Sequence, residues 1–287
     1  MPTMVHHIPA ILARLLEKKQ SERVAFLLVD GMAIEQWMAI KAVIRPRFGS
    51  ILVEESALFA WVPTITPVSR QAAFSGKLPL YFPESLSDTS KDELRWRQFW
   101  GNRGMSPSEV AFISTRGEPG DEKIVEDQIS ATTKVLGLTL YKVDEIMHGM
   151  QLGAAGMLNQ VRLWAEGEAL FSILGTLLAR NFTVVISADH GNIEAAGIVT
   201  PKQGVLCEKR GERARLFNER SFAQDCVAQV PGSRIWHHAG LPPQVIPVLA
   251  PDGKAFIQRG TTAVCHGGVA IEELAVPFIT IQPERRS

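Results

Sequence analysis

Val24-Ala25-Phe26-Leu27-Leu28-Val29-Asp30-Gly31-Met32 is the stretch from which the architecture can be read. Its first six residues are all apolar and end abruptly, as in a strand covered on both faces within a parallel sheet. The run passes directly into Asp30-Gly31, and Ala33 to Ile44 then follows helical spacing until Pro46 stops it. A strand, an acidic residue at its carboxyl end and a following helix is the place where open α/β sheets hold ligands. An aspartate there can also do no more than cap the helix.

The same texture recurs along the chain. Ser50 to Ala60 and Val110 to Ser114 read as strands, and Leu136 to Val143 is strand-like and ends at Asp144. Phe182 to Ile186 is a second strongly apolar strand and runs into Ser187-Ala188-Asp189-His190-Gly191. Leu274 to Ile281, containing Pro277, reads as the last strand. Between them, Ile8 to Lys19, Asp92 to Trp100 and a long stretch from Ala154 to Ala179 carry helical spacing. Trp96 and Trp100 are expected in the core or against a partner face. Arg116 to Glu122 reads as a charged, solvated loop. An α/β fold with a central, mostly parallel sheet flanked by helices follows.

From Thr200 to Gly260 helical periodicity weakens, and a β-rich insertion within one domain spanning 1–287 is expected. Leu249 to Phe256 reads as a hairpin around Pro251-Asp252-Gly253. Lys209, Arg210, Arg213, Arg215 and Arg220, interspersed with Glu208, Glu212 and Glu219, read as a solvated hairpin face rather than a nucleic-acid patch. His237 and His238 are adjacent, so on regular structure they point apart and do not form a joint metal site.

The 287 residues provide ample core, and 46% hydrophobic with 21% charged residues places the chain among globular proteins. Thirty basic side chains balance thirty acidic ones, so no global field recruits nucleic acid or an anionic membrane, and anion binding has to be local. Cys207, Cys226 and Cys265 are too few and scattered for a disulfide framework, which favours a reducing compartment. Met1 to Gln20 lacks the pattern of a signal peptide and no apolar run approaches membrane-spanning length, so a cytoplasmic location is expected.

Pro63-Thr64-Ile65-Thr66-Pro67-Val68-Ser69-Arg70-Gln71-Ala72-Ala73-Phe74-Ser75-Gly76 turns from an extended, proline-bounded segment into a short helix ended by glycine. Pro67 suits a first helical turn and Thr66 then falls at the N-cap, where the helix dipole is positive and anions are favoured. Asp30, Asp144, Asp189, His190 and His266 all sit just beyond apolar strands, and His148 lies one helical turn after Asp144. Carboxylates mixed with imidazoles suit zinc and are compatible with manganese. Two such ions can hold the attacking and leaving oxygens of a phosphoryl centre, and a metal can activate a threonine hydroxyl that is otherwise a poor nucleophile.

The order Asp30, Thr66, Asp144-x3-His148, Asp189-His190, His266 resembles the alkaline phosphatase superfamily, especially its phosphodiesterase-like branch. Within it, Val29 to Met32, the Trp96 to Trp100 region and His266 to Pro277 resemble the PglZ domain of bacterial BREX phage-defence systems. The resemblance implies an alkaline-phosphatase-like sandwich and two divalent ions, zinc or manganese. One would be held by Asp144, His148 and His266, and the other by Asp30, Asp189 and His190 with Thr66 as hydroxyl ligand and nucleophile. It implies a phosphatase or phosphodiesterase, a nuclease among the options, with a phospho-threonine intermediate. Ser69 and Arg70 become candidates to touch a phosphate oxygen, and Glu272 and Glu273 to brace the His266 loop. With only the 200–260 segment available as a cap, a large or polymeric phosphoester, including nucleic acid, is accommodated. Other BREX-type defence proteins are implied as partners. The competing implication is a catalytically weak or inactive scaffold or nucleotide-binding component of such a complex. A phosphoglycerate mutase-like isomerase would share the metal ligands but calls for a serine nucleophile and a sugar-phosphate cap, neither of which is present.

Overall fold

The computed structural model describes residues 3–49, 51–86, 88–198, 211–237 and 239–283. The chain begins with α1 (Ile8–Glu17), β1 (Arg23–Val29), α2 (Ile34–Ile44) and β2 (Ile51–Phe59). Next come α3 (Thr66–Ser75), α4 (Asp92–Gly101), β3 (Val110–Thr115), α5 (Asp121–Gln128) and β4 (Val135–Leu140). Three helices follow, α6 (Lys142–Gly149), α7 (Gly153–Glu166) and α8 (Ala169–Ala179), before β5 (Phe182–Ser187) and β6 (Ile193–Gly197). After β7 (Ala214–Phe217) come α9 (Arg220–Gln229), β8 (Arg234–Ile235), β9 (Ile246–Leu249), β10 (Lys254–Ala255), β11 (Thr262–Cys265), α10 (Ile271–Leu274) and β12 (Ala275–Pro283).

The main sheet has strand order β2-β12-β5-β1-β4-β3. β3, β4, β1 and β5 run parallel, while β12 runs antiparallel to both β5 and β2. Five of the six strands therefore point the same way, and the sheet is mixed through β12 alone. β4 and β5 are buried at every position and β1 at all but its first, in keeping with the unbroken apolar run of β1 after Arg23 and the predominantly apolar β4 and β5. Because β1, β4 and β5 end at one edge and β12 begins there, the segments after the first three and before the fourth are gathered at that edge. This is where the candidate site lies.

All ten residues of α3 are buried, polar ones included. Phe74 on its far turn packs 5.3 Å from Phe26 of β1 and 5.8 Å from Trp96 of α4, ring centre to ring centre. Trp96 in turn donates to the Ala111 carbonyl across 3.0 Å, so both expected core tryptophans serve packing. Gly76 ends the helix at φ 65°, a left-handed cap that glycine adopts without a Cβ penalty.

Several expectations require correction. The Ala154 to Ala179 stretch is two helices, α7 and α8, broken at Gly167 and Glu168, because its apolar period does not register the break. Residues 249–256 are no hairpin: β9 belongs to the β7-β9-β8 sheet and β10 to the β10-β6-β11 sheet. The weakly periodic 200–260 segment contains a helix, α9, whose Ala223 and Cys226 join Phe217, Val248 and Phe256 in a separate apolar cluster. Arg213 and Arg215 are buried, at 1% and 2% exposure, so they do not lie on a solvated face. Lys209, Arg210, Cys207 and His238 lie outside the described residues, while Cys226 and Cys265 are buried thiols. No described helix is long and apolar enough to cross a membrane.

The amino-terminal segment carries an acid-sensitive contact at His6. Trp61 Nε1 donates to His6 Nδ1 across 3.2 Å, which requires an unprotonated nitrogen. Burial, and then the neighbouring His7, push the His6 pKa from 6.5 down to about 4. A base whose pKa falls on folding binds its proton preferentially in the unfolded chain. Its stabilisation is therefore complete above about pH 6.5 and is lost as pH falls toward 4. The thermal midpoint is expected to drop across this window, and His6→Gln to flatten that slope in scanning calorimetry.

Candidate active site

Thr66 is the first residue of α3, not its cap. Ile65 holds the cap position, because its carbonyl accepts the first helical bonds from Val68 and Ser69. Pro67, which donates no N–H, occupies the second position, so the Thr66 hydroxyl still lies at the positive end of the helix. That hydroxyl, in a residue 6% exposed, sits 3.0 Å from His190 Nε2.

Asp30 follows β1, and Asp189 and His190 follow β5, so the parallel pairing of these strands brings them together. One ligand atom from each of Asp30, Asp189 and His190 lies within 4.8 Å of the others, and all three residues are buried. The loops are tied to each other. Gly31, at φ 70°, points its N–H at Asp189 Oδ1 across 3.1 Å, and Asn192 Nδ2 donates to the Gly31 carbonyl across 2.8 Å. A side chain at Gly31 would meet that φ with strain and would come within 3.6 Å of the His190 ring. Gln36 completes the clamp by exchanging amide bonds with Asn192.

The two buried imidazoles are oriented by backbone carbonyls. His190 Nδ1 lies 2.9 Å from the Gly191 carbonyl and His266 Nδ1 lies 2.7 Å from the Thr64 carbonyl. A carbonyl only accepts, so each Nδ1 carries the proton and each Nε2 keeps a lone pair, the form that ligates metal. The rings stack with centres 3.9 Å apart. Their strands explain the approach, since β6 after His190 pairs antiparallel with β11 before His266.

Asp144 is not at a strand end as expected. β4 stops at Leu140, and Asp144 lies in the first turn of α6 with His148 one turn on. Asp144 Oδ2 and His148 Nε2 are 2.9 Å apart on the more open side of the site, with side chains 18% and 34% exposed. Asp144 Oδ1 lies 3.7 Å from the position of a Gly31 Cβ, which places this pair beside the Asp30 loop. Among the described residues, only Asp30, Asp189 and His190 meet as a compact three-donor group. Asp144, His148 and His266 lie close enough to one another and to His190 for their charges to interact.

Electrostatics follow from dryness and an excess of carboxylates. Burial pushes Asp30 well above the usual carboxylate range, opposed by Arg70 and reinforced by Asp189 and Asp144. Burial, helped by His190, pushes His266 well below the usual imidazole value, which keeps it neutral. Burial also works against the Asp144 charge, but the His148 hydrogen bond and nearby imidazoles outweigh it and hold that pKa down. Asp30 Oδ1 is buried and has no hydrogen-bond partner among the described residues. An unpartnered carboxylate oxygen beside a second carboxylate and an imidazole lone pair is the donor set that a divalent cation satisfies. The residues present therefore fit a metal.

Ser69 and Arg70 both have partners within the protein. Trp61 N–H donates to Ser69 Oγ across 2.8 Å, and Arg70 pairs with both Asp30 and Asp92. Glu273 braces the His266 loop by accepting from the Gly268 and Ala270 N–H groups and from Arg213, whereas Glu272 is exposed. Asp92, Asn192, Gln36 and Arg213 were not legible as site residues. Thr64 had a signal, its place two residues before Thr66, and it ties this segment to the His266 loop through Gly267 N–H and the Gly268 carbonyl.

The fold is similar to that of murine ectonucleotide pyrophosphatase/phosphodiesterase 5, solved as an inactive variant in complex with AMP. The TM-score is 0.64 at 11% identity, over 91% of this chain and 88% of that one. The human enzyme of the same name gives 0.63 at 11%, over 90% and 87%. Phosphonoacetate hydrolase from Sinorhizobium meliloti, in complex with phosphonoformate, gives 0.52 at 15%, over 90% and 89%. A comparison with curated proteins returns no match. The architecture is thus alkaline phosphatase-like. Residues 10–281 match the BREX system PglZ alkaline phosphatase-like domain, and the chain belongs to that family.

Proposed function

We propose that this chain is a metal-dependent phosphoester hydrolase of a bacterial phage-defence system, with Thr66 as its nucleophile. The observation that carries the reading is the convergence of Asp30, Asp189 and His190 within 4.8 Å, with the Thr66 hydroxyl 3.0 Å from His190 Nε2. Asp30, Asp189 and His190 would hold one divalent cation, zinc or manganese, and Asp144, His148 and His266 a second. Bound cations would supply charge neutralisation at a phosphoryl group and a lowered hydroxyl pKa.

The chain's own residues account for the rest. Thr66 Oγ1 forms the new bond to phosphorus as the ester P–O bond breaks. The alcohol leaves, and the phosphoryl group on Thr66 passes to water in a second step. The start of α3 aims its dipole at the incoming anion. Carbonyls of Gly191 and Thr64 hold both imidazoles in the ligating tautomer, so no reorganisation is needed when substrate arrives. The open Asp144 and His148 side leaves a way in for a large phosphoester, nucleic acid included.

The test is metal analysis of the purified protein, combined with turnover of bis-p-nitrophenyl phosphate, the monoester and plasmid DNA. Wild type is expected to carry zinc or manganese and to hydrolyse at least one of these, and Asp189→Ala to lose both properties. Equal turnover in Asp189→Ala would overturn the reading. Stoichiometric binding of a defence partner, with no hydrolysis under any metal, would instead assign the scaffold role.

A further inference from the structure

We infer that Arg70, anchored by Asp92, is a positioning residue that presents a single oxygen of Asp30 to the cation and does not contact the phosphoryl group. The inference rests on the metal-dependent reading above. Arg70 stands one turn after Thr66 on α3 and its side chain is 3% exposed. Nη1 pairs with Asp30 Oδ2 at 2.5 Å, and Nε pairs with Asp92 Oδ2 at 2.9 Å. The guanidinium carbon lies 5.3 Å from the Tyr141 ring centre, which closes a third side. An arginine that grips phosphate offers a fork of two adjacent N–H donors. Here Nη1 and Nε, one donor on each edge of the fork, are already taken by carboxylates.

The arrangement has two consequences. With Oδ2 held by Arg70, Asp30 is left with Oδ1, the buried oxygen that has no partner among the described residues. The helix that carries Thr66 also carries the group that orients Asp30, so the hydroxyl and this ligand share one rigid frame. Asp92, the first residue of α4 and 5% exposed, explains how a fixed positive charge can stand beside a cation site. It balances the guanidinium, so Arg70 orients Asp30 without repelling the ion. Removing Asp92 exposes the cation to an uncompensated positive charge. Replacing the fork by an ammonium ends simultaneous contact with both carboxylates.

Equilibrium dialysis of the metal-free protein against Mn2+ and Zn2+ tests this, with Asp92→Asn, Arg70→Lys, Asp189→Ala and the paired Arg70→Met/Asp92→Leu. Asp92→Asn and Arg70→Lys are expected to weaken cation binding by about tenfold to a hundredfold. KM for bis-p-nitrophenyl phosphate at saturating cation is expected to stay within about twofold of wild type, because positioning a ligand leaves substrate binding intact. The paired variant removes Arg70 together with its anchor, so no unpaired Asp92 charge is left, and tests the idea free of that loss. It too is expected to bind cation more weakly. Wild-type cation affinity in Asp92→Asn and in the paired variant would overturn the inference, even with a lowered melting temperature. So would a KM raised tenfold or more in Arg70→Lys at unchanged cation affinity, which is the signature of a phosphate contact. Cation binding unaffected by Asp189→Ala would instead remove the metal-dependent reading, so the two failures are distinguishable.

Discussion

Thr66→Ala is expected to lower phosphoester turnover by on the order of 10⁴-fold, the scale seen when a nucleophile is removed from a site whose other parts remain. The change deletes only the hydroxyl and a methyl group. The helix it begins is fixed independently, by the Ile65 cap and by Phe74 against Phe26 and Trp96. The loss is therefore expected at an almost unchanged melting temperature and with cation binding largely retained through Asp30, Asp189 and His190. Thr66→Ser keeps a hydroxyl at the same atom and is expected to retain most of the activity. Steady-state kinetics on bis-p-nitrophenyl phosphate, with cation held saturating, separates these outcomes. Turnover by Thr66→Ala equal to wild type would reject the covalent route.

The largest effect on stability is expected from Arg213→Met. Its guanidinium Nε pairs with Glu273 Oε1 at 3.0 Å, with side chains 1% and 0% exposed. Nη1 also donates to the Lys254 carbonyl at 2.5 Å. Glu273 meanwhile accepts from the Gly268 and Ala270 N–H groups at 2.8 and 3.0 Å, and the Arg213 N–H donates to the His266 carbonyl at 3.1 Å. The pair thus fastens the loop that presents His266. Burial pushes the Glu273 pKa up even with its partners in place. Without Arg213, a desolvated carboxylate would be held by backbone donors alone, at a cost of about 3–5 kcal/mol. In a chain of this length that lowers the melting temperature by on the order of 10 °C. Arg213→Met combined with Glu273→Leu is expected to recover part of the loss, since it removes the stranded charge. Calorimetry of the single and paired variants checks both, and a shift under about 2 °C in the single variant would contradict the argument.

The strands that build the centre were legible because burial on both faces leaves a purely local mark. Val24 to Val29 is apolar without interruption and Phe182 to Ile186 is apolar but for Thr183, and both are buried next to each other in the sheet. The carboxylates and imidazoles that follow such strands could be identified as neighbours, because parallel pairing brings like ends to one edge. Thr66 at the start of a buried helix followed from Pro67 and Gly76, apart from one residue in the cap assignment. The family membership over residues 10–281 had a basis in the same spaced residues.

What the chain order left open concerns groups whose state depends on a distant partner. Arg213 lies among alternating charges that read as solvated, and its counter-charge, Glu273, lies sixty residues later. Asp92 reads as an ordinary acidic first-turn residue until Arg70 is seen beside it. The reversed direction of β12, the break between α7 and α8, and the assignment of β9 and β10 to different sheets are settled by packing between segments. Local pattern records how much of a residue is covered, because the hydrophobic effect acts on each side chain in proportion to its area. It does not record which charge covers it. Pairing energies arise between groups that only the folded chain brings within a few ångströms.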